Sequence, residues 1–303
     1  MPTVADLPAL PHAVRDAILA WYAANGRSLA FRGSADPWAI LVSEVIAQQT
    51  QAARAADRWE RFMARFPTVE ALADATPADV LREWQGLGYD RRGLRLQQAA
   101  RAIVRHHEGR VPDSVEALAA LPGIGPYTAR AVSAIAFGRP CGAVDVNVRR
   151  VLGRLVVGDT AVLTHVEMQA LADASVPADR SAAWTHALMD VGATICRPRA
   201  PRCEGCPVSA WCRFAATGRA PTPAMGRRRS ADRTPFPATN RWLRGRILDR
   251  LRAVPDRRWV AIEGPIGTHD AATVRKAAQA LARDGMLEIQ ATDGDALRAR
   301  LPL

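Results

Sequence analysis

Lysine is almost absent from this 303-residue chain: of its 41 basic residues, only Lys276 is not an arginine. Chemistry that runs through a lysine amine, such as a Schiff base, is therefore nearly excluded. Aromatic residues are sparse at 6%, and Val/Ile/Thr alternation is rare before residue 212, so the first two thirds of the chain offer few strands and many helices. Long apolar runs are missing too. No stretch approaches the roughly 18 consecutive apolar residues that a membrane-spanning helix requires. The N-terminal MPTVADLPALPHAVRDAILAWY mixes acids into its apolar residues and has no basic segment ahead of an apolar block. Neither a secretory nor a transit leader is expected, and the protein is expected in the cytoplasm.

What is abundant is positive charge, and it is unevenly placed. The formal net charge is +11, with an isoelectric point near 10.7. Residues 1–212 hold 23 basic and 21 acidic residues, whereas residues 213–303 hold 18 and 9. Within the latter, residues 213–258 alone carry 13 basic residues against 3 acidic ones. Such a balance suits a polyanion, nucleic acid first, and a membrane partner is not expected because no apolar run is long enough to span one. Deleting residues 213–303 is expected to weaken nucleic-acid binding and flatten its salt dependence while leaving any chemistry of the body intact.

Helix-period segments run through the body at 13–24, 39–65, 68–73, 77–84, 91–106, 115–121, 127–137, 146–155, 165–174 and 180–192. Thr68, Thr76 before Pro77, and Asp113-Ser114 read as helix caps. After Cys212 the chain becomes dense in Pro, Arg, Ser and Thr, so 213–240 reads as an exposed basic linker, with GRRRS at 226–230 a solvated or phosphate-binding patch. Residues 241–303 read as helix, helix and a hairpin turning at Asp293-Gly294, a winged-helix-like module.

Four of the five cysteines, Cys196, Cys203, Cys206 and Cys212, form a C-x6-C-x2-C-x5-C run. In a reducing compartment this favours a metal site over disulfides. Zinc usually takes two C-x2-C pairs and only one is present, so four thiolates wrapped by Pro198, Pro201 and Pro207 suit a [4Fe–4S] cluster at least as well. Arg197, Arg199 and Arg202 lie within that loop. Cys141, in an apolar context, reads as a buried structural thiol. His106, His107, His165 and His186 lack the spacing of metal ligands.

LPGIGPYTARAV, residues 121–132, places Gly123 and Gly125 in a tight turn before a helix whose N-terminal N–H groups can face a phosphate. It has the look of a helix-hairpin-helix. Twenty residues after Gly125 comes AVDVNVRRVLGR, where Asp145 ends an apolar run and opens a basic helix, as a cap or as a reacting group. Upstream, DPWAILVSEVIAQQTQAARA carries one acid, Glu44, on an otherwise apolar helix. Such an acid is often salt-bridged, but burial there would favour its neutral form and suit a general acid. Paired carboxylates with divided roles are how glycosidic bonds are commonly cut.

Taken together, SEVIAQQTQ, GLGY, LPGIGPYTA, VDVNVRRVL, ALMDVGATIC and the cysteine run resemble, in order over residues 13–212, the adenine DNA glycosylase family of the helix-hairpin-helix (endonuclease III) superfamily, in an actinobacterial-like short-tailed form. The resemblance implies a mainly α, two-lobed fold over residues 1–212: a six-helix barrel lobe at about 30–140 and a cluster lobe of 1–29 plus 141–212. The linker at 213–240 and the winged-helix-like α+β module at 241–303 would follow. It implies a [4Fe–4S] cluster on the four cysteines and a monomer that acts on double-stranded DNA carrying a mispaired or damaged base, within the nucleoid.

Carried over residue by residue, Glu44 would protonate adenine and then position water, Asp145 would stabilise the sugar cation, and Tyr127 and Asn147 would hold these carboxylates. Gln49 and Tyr89 would wedge into the stack vacated by the flipped base, Gly123 and Gly125 would face the backbone, and Arg149 and Arg150 would meet phosphates. Arg27, Leu29, Phe31, Arg32, Ala47 and Asp190 would line the base pocket, Asp190 being alternatively a structural helix acid. Bifunctional relatives place a lysine where Tyr127 stands, so no strand-nicking activity is expected. The chain departs from the family at Leu29-Ala30-Phe31-Arg32, where L-P-W-R is usual, and at Ala47, where Leu is usual; both changes remove volume from the pocket wall. Residues 236–303 are also too short and too helical for the usual Nudix-like domain. The expected substrate is adenine opposite 8-oxoguanine or guanine; a thymine, uracil or other lesion glycosylase of the same fold is the alternative.

Overall fold

The computed structural model describes residues 9–158, 163–217, 234–255, 258–291 and 297–303. In chain order its helices are α1 His12–Asn25, α2 Pro37–Ala47, α3 Ala52–Arg65, α4 Val69–Ala73, α5 Pro77–Glu83, α6 Arg91–His106 and α7 Val115–Ala119. They continue with α8 Pro126–Phe137, α9 Val146–Val156, α10 His165–Ser175, α11 Ser181–Asp190, α12 Arg213–Ala216, α13 Asn240–Arg252 and α14 Ala271–Arg283. Three short strands, β1 Val260–Ala261, β2 Glu288–Ala291 and β3 Leu297–Arg300, form an antiparallel sheet in the order β1-β3-β2. No helix among the described residues is long and apolar enough to cross a membrane.

Local chemistry explains many of these ends. Thr76 accepts from the N–H of Asp79 with Pro77 in the first turn, Ser114 accepts from Ala117, and Thr164 and Glu167 form a reciprocal capping box. One expected helix is broken. The segment read as continuous from 39 to 65 divides at 48–51 into α2 and α3, and Gln49 between them has φ +55°. A left-handed residue ends the helical run.

The chain gathers into two compact units, Met1–Glu44 with Pro112–Ala120 and Ile124–Arg228, and Val45–Val111 with Leu121–Gly123 and Arg229–Leu303. The chain changes unit within α2, and residues 124–140 fall in the same unit as the cysteines. In the first unit, Val14 and Ile18 of α1 share a core with Val148, Val151 and Leu152 of α9, Leu171 of α10 and Trp184 and Leu188 of α11. In the second, α6 packs on α4 and α5, and Phe62 meets the edge of Trp84 at 5.7 Å.

The C-terminal tail, with its helices and three-stranded sheet the small α+β module expected from the sequence, belongs to this second unit. The N–H of Ala78 donates to the carbonyl of Pro302 at 3.0 Å, Arg82 donates to Val254 and Arg252 donates to Leu81. Arg252, only 5% exposed, also pairs with Asp90. Deleting 213–303 would therefore remove structural bonds as well as charge. Part of the 213–240 linker is ordered as α12 and as a single turn at Phe236–Ala238. The GRRRS patch and the Asp293-Gly294 turn lie outside the described residues. β1, unread in the sequence, completes the sheet through Val260 opposite Ala299.

Candidate active site

Helix α2 is buried on every side from Trp38 to Ile46, which leaves its single acid inside the protein: Glu44 is 8% exposed. Burial penalises the carboxylate and pushes its pKa up from 4.5 to about 7; the nearby charge of Asp145 pushes the same way, while a hydrogen bond from Tyr127 and the charge of Arg32 oppose the shift. Tyr127 reaches Glu44 because Gly125 and Pro126 open α8 one residue earlier, setting the tyrosine in its first turn. Its hydroxyl also lies 3.7 Å from Met189 Sδ. Burial and the two carboxylates raise the Tyr127 pKa well above the ordinary phenol value, so it remains a donor.

Asp145 caps α9. One oxygen, Oδ1, accepts from the N–H groups of Asn147 and Val148 at 2.8 and 2.7 Å, and Oδ2 accepts from Asn147 Nδ2 at 2.8 Å. A carboxylate with this many donors at a helix N-terminus is fixed in direction. Behind it stands Arg150, which donates to Asn147 Oδ1 at 2.8 Å, to the Gly192 carbonyl at 2.7 Å and to the Cys196 carbonyl at 2.5 Å. Arg149 donates to the Leu163 carbonyl at 3.2 Å and meets the His165 ring at the surface at 3.1 Å. Both arginines expected on phosphates have partners within the protein, and at Arg150 these include carbonyls from a distant segment. Gly192 permits the approach: a Cβ there would stand 2.6 Å from that of Asn147. The turn after α11, Val191–Ile195, widens to a π-helical form at this point.

Asp190 is fully buried and has no free oxygen to offer a base. Arg32 binds it through both terminal nitrogens at 2.6 and 2.7 Å, and Arg27 adds its backbone N–H at 2.8 Å and Nε at 2.7 Å. Burial alone would raise the pKa of Asp190, but the hydrogen bonds and charge of Arg32 and Arg27 outweigh it and hold it below the usual carboxylate range. Arg27 and Arg32, expected in the pocket, are its partners. Tyr22 lies under Arg32 at 5.8 Å and stacks on His186, whose pKa burial and Arg32 press down to about 4. Leu29 and Phe31 are half-buried in the same stretch.

In the second unit, Gln49 and Tyr89 are exposed, and both occupy the left-handed region, at φ +55° and +49°. Only one other non-glycine residue among those described, Glu108, does so. Strain of this kind persists only where surroundings enforce it. Here the enforcer is Arg92. Its guanidinium donates to the carbonyls of Val45, Ile46 and Gln48 before Gln49, and to those of Leu87 and Gly88 before Tyr89. Nothing in the sequence separates Arg92 from its neighbour Arg91. Ala47, at the end of α2, is half-buried. Gly123 turns at φ +80° against the side chain of Arg95, which a Cβ would meet at 2.7 Å.

The four cysteines of the run are free, half-buried and line one cavity with Val151, Leu155 and Val208. Burial raises the pKa of Cys203, Cys206 and Cys212, that of Cys206 to about 11, and the neighbouring thiols add to the rise. Four crowded thiols of this kind become thiolates when a cationic centre sits among them. Among the described residues no group of three metal-binding side chains is drawn together closely enough to hold a metal ion. Four cysteine sulfurs facing one cavity are nevertheless the donor set that a thiolate-bound metal group takes. Arg154 closes one side, donating to Cys196 Sγ at 3.5 Å and to the Arg197 and Pro198 carbonyls. Cys141, apart from them, is half-buried near the Arg130 carbonyl.

A profile of the HhH-GPD superfamily of base excision DNA repair proteins matches residues 42–176. The adenine DNA glycosylase of Mycobacterium tuberculosis is 42% identical over 263 residues, covering 84% of this chain and 84% of that protein. That of Mycolicibacterium smegmatis is 39% identical over 279 residues, covering 91% and 93%. A solved structure, of a thermostable thymine-DNA glycosylase, matches with a TM-score of 0.64 at 30% identity over 67% of this chain and 95% of that one.

Proposed function

This chain belongs to the adenine DNA glycosylase family of the helix-hairpin-helix superfamily, and from that premise we propose that it is a monofunctional glycosylase that hydrolyses the N-glycosidic bond of adenine mispaired with 8-oxoguanine or guanine, after the nucleotide is flipped from the duplex. The observation that carries the reading is Glu44, a buried carboxyl with a pKa of about 7, bonded to Tyr127 and within the field of Asp145.

Purine departure needs a proton on the ring, and a carboxyl half-protonated near neutral pH supplies it. As the C–N bond breaks, the sugar gains positive charge, and the fixed carboxylate of Asp145 stabilises that charge. Glu44, now ionised, accepts a proton from the water that adds to the sugar. Tyr127 keeps Glu44 oriented and offers no amine, which fits hydrolysis without strand nicking. Cys196, Cys203, Cys206 and Cys212 would hold a [4Fe–4S] cluster, which would supply thiolate–iron bonds that fix the loop behind Arg150 and Arg154.

The test is a panel of duplexes carrying adenine, thymine, uracil or damaged bases opposite each partner, incubated with the protein and then treated with alkali. Adenine release opposite 8-oxoguanine or guanine is expected. Pyrimidine release would replace this reading with the one that the thymine-DNA glycosylase likeness favours. Nicking without alkali would refute the monofunctional assignment.

A further inference from the structure

The second unit contains a groove of about 800 Å³ between the start of α6 and the tail helix α13. Seven arginines and three aspartates line it. The acids are all engaged: Asp284 pairs with Arg244 and Arg91, Asp249 with Arg246 and Arg252, and Asp90 with Arg252. Arg95 and Arg241, both exposed, have no acidic partner among the described residues. Arg241 instead lies 4.0 Å over the ring of Tyr89 and donates to its hydroxyl at 3.0 Å. Gly88 leaves it room, since a Cβ there would stand 3.3 Å from the Arg241 guanidinium. At the other end Arg95 lies against Gly123 of the hairpin turn. Two aromatic faces, Tyr89 at 45% and Phe236 at 59% exposed, open on the same groove.

Uncompensated guanidiniums next to exposed rings match a chain of phosphates that carries planar bases. An acidic peptide would satisfy the cations and leave the rings idle. We propose that this groove seats the backbone of one strand of duplex DNA, with Arg95 and Arg241 on phosphates and Tyr89 and Phe236 against bases, so that the tail helix completes the DNA surface around Tyr89. The proposal rests on the reading of the chain as a DNA enzyme. It deepens that reading by giving the tail a defined place in substrate binding.

Its test is equilibrium binding of the full chain to an undamaged duplex across a salt series, a measurement independent of base release. Arg95→Gln and Arg241→Gln are each expected to weaken binding about fivefold and to lower the slope of log K against log salt by about 1. Arg241→Lys is expected to keep the slope and lose part of the affinity, because it retains charge without the planar stack. Arg250→Gln, on the same helix but outside the groove, is expected to bind as the wild type does. Wild-type affinity and slope in both Arg95→Gln and Arg241→Gln would overturn the proposal, as would an equal loss in Arg250→Gln. A protein that binds in this way yet releases no adenine would leave the groove standing and remove the glycosylase reading.

Discussion

Arg150 donates to Asn147 Oδ1 at 2.8 Å, and the same Asn147 side chain donates to Asp145 Oδ2 at 2.8 Å. Because Arg150 also holds the carbonyls of Gly192 and Cys196, the direction of the Asp145 carboxylate depends on the turn after α11 and on the first residue of the cysteine loop.

Replacing Arg150 with Gln should therefore act as a positioning defect. Single-turnover base release is expected to fall about 100-fold with DNA affinity little changed, since a small misplacement at the reacting centre is enough to cause such a loss. Arg150→Lys should recover part of the rate. A loss confined to affinity would instead assign Arg150 to phosphate contact.

The raised pKa of Glu44 sets the pH dependence of the reaction. The protonated acid is the active form, so the rate is expected to be flat below a pH of about 7 and to fall about tenfold per unit above it. Linkage gives stability the same direction, a fall as pH rises, in a lower window. A group whose pKa rises from 4.5 to about 7 on folding destabilises the fold when ionised, and the cost accrues between those two values. Glu44→Gln should thus abolish base release yet stabilise the protein by about 3 kcal/mol at pH 8. Denaturant melts at pH 5 and pH 8 check this, the gain being small at the lower pH.

Asp190 behaves in the reverse sense. Its depressed pKa means that its stabilisation is present above the ordinary carboxylate range and is lost as pH falls through the folded value. Asp190→Asn strands Arg32, whose side chain is 9% exposed, and should cost about 3–5 kcal/mol at neutral pH. Urea unfolding at pH 7 and pH 3 measures it, and the gap between variant and wild type should shrink in acid.

Arg92→Lys leaves too few donors for the five carbonyls that frame Gln49 and Tyr89. Both left-handed turns should relax, and the melting temperature should drop by several degrees, consistent with about 1–3 kcal/mol for each carbonyl left unpaired. Affinity for duplex DNA should weaken more than in Arg91→Lys, its neighbour on the surface. Equal effects in the two variants would deny Arg92 its stapling role.

Much of this protein is settled by residues that act on their near neighbours. Thr76 with Pro77, Ser114 and Asp145 start helices wherever they stand in this pattern, because a side-chain oxygen two or three residues from an N–H needs no help from the rest of the chain. The cysteine spacing and the lone acid of α2 are equally local. What the tertiary structure decided is the meaning of the arginines, which number 40 of the 41 basic residues. Sequence marks each as a cation and nothing more. Whether a guanidinium faces a phosphate or staples the interior depends on which carbonyls and carboxylates converge on it, from Val45 and Leu87 at Arg92, Cys196 at Arg150, Asp190 at Arg32 and Asp90 at Arg252. Those partners are brought together by packing between segments far apart in the chain. The same packing broke the expected 39–65 helix at Gln49, docked the tail on α5 and α6, and left Arg95 and Arg241 with no acid to answer them among the described residues.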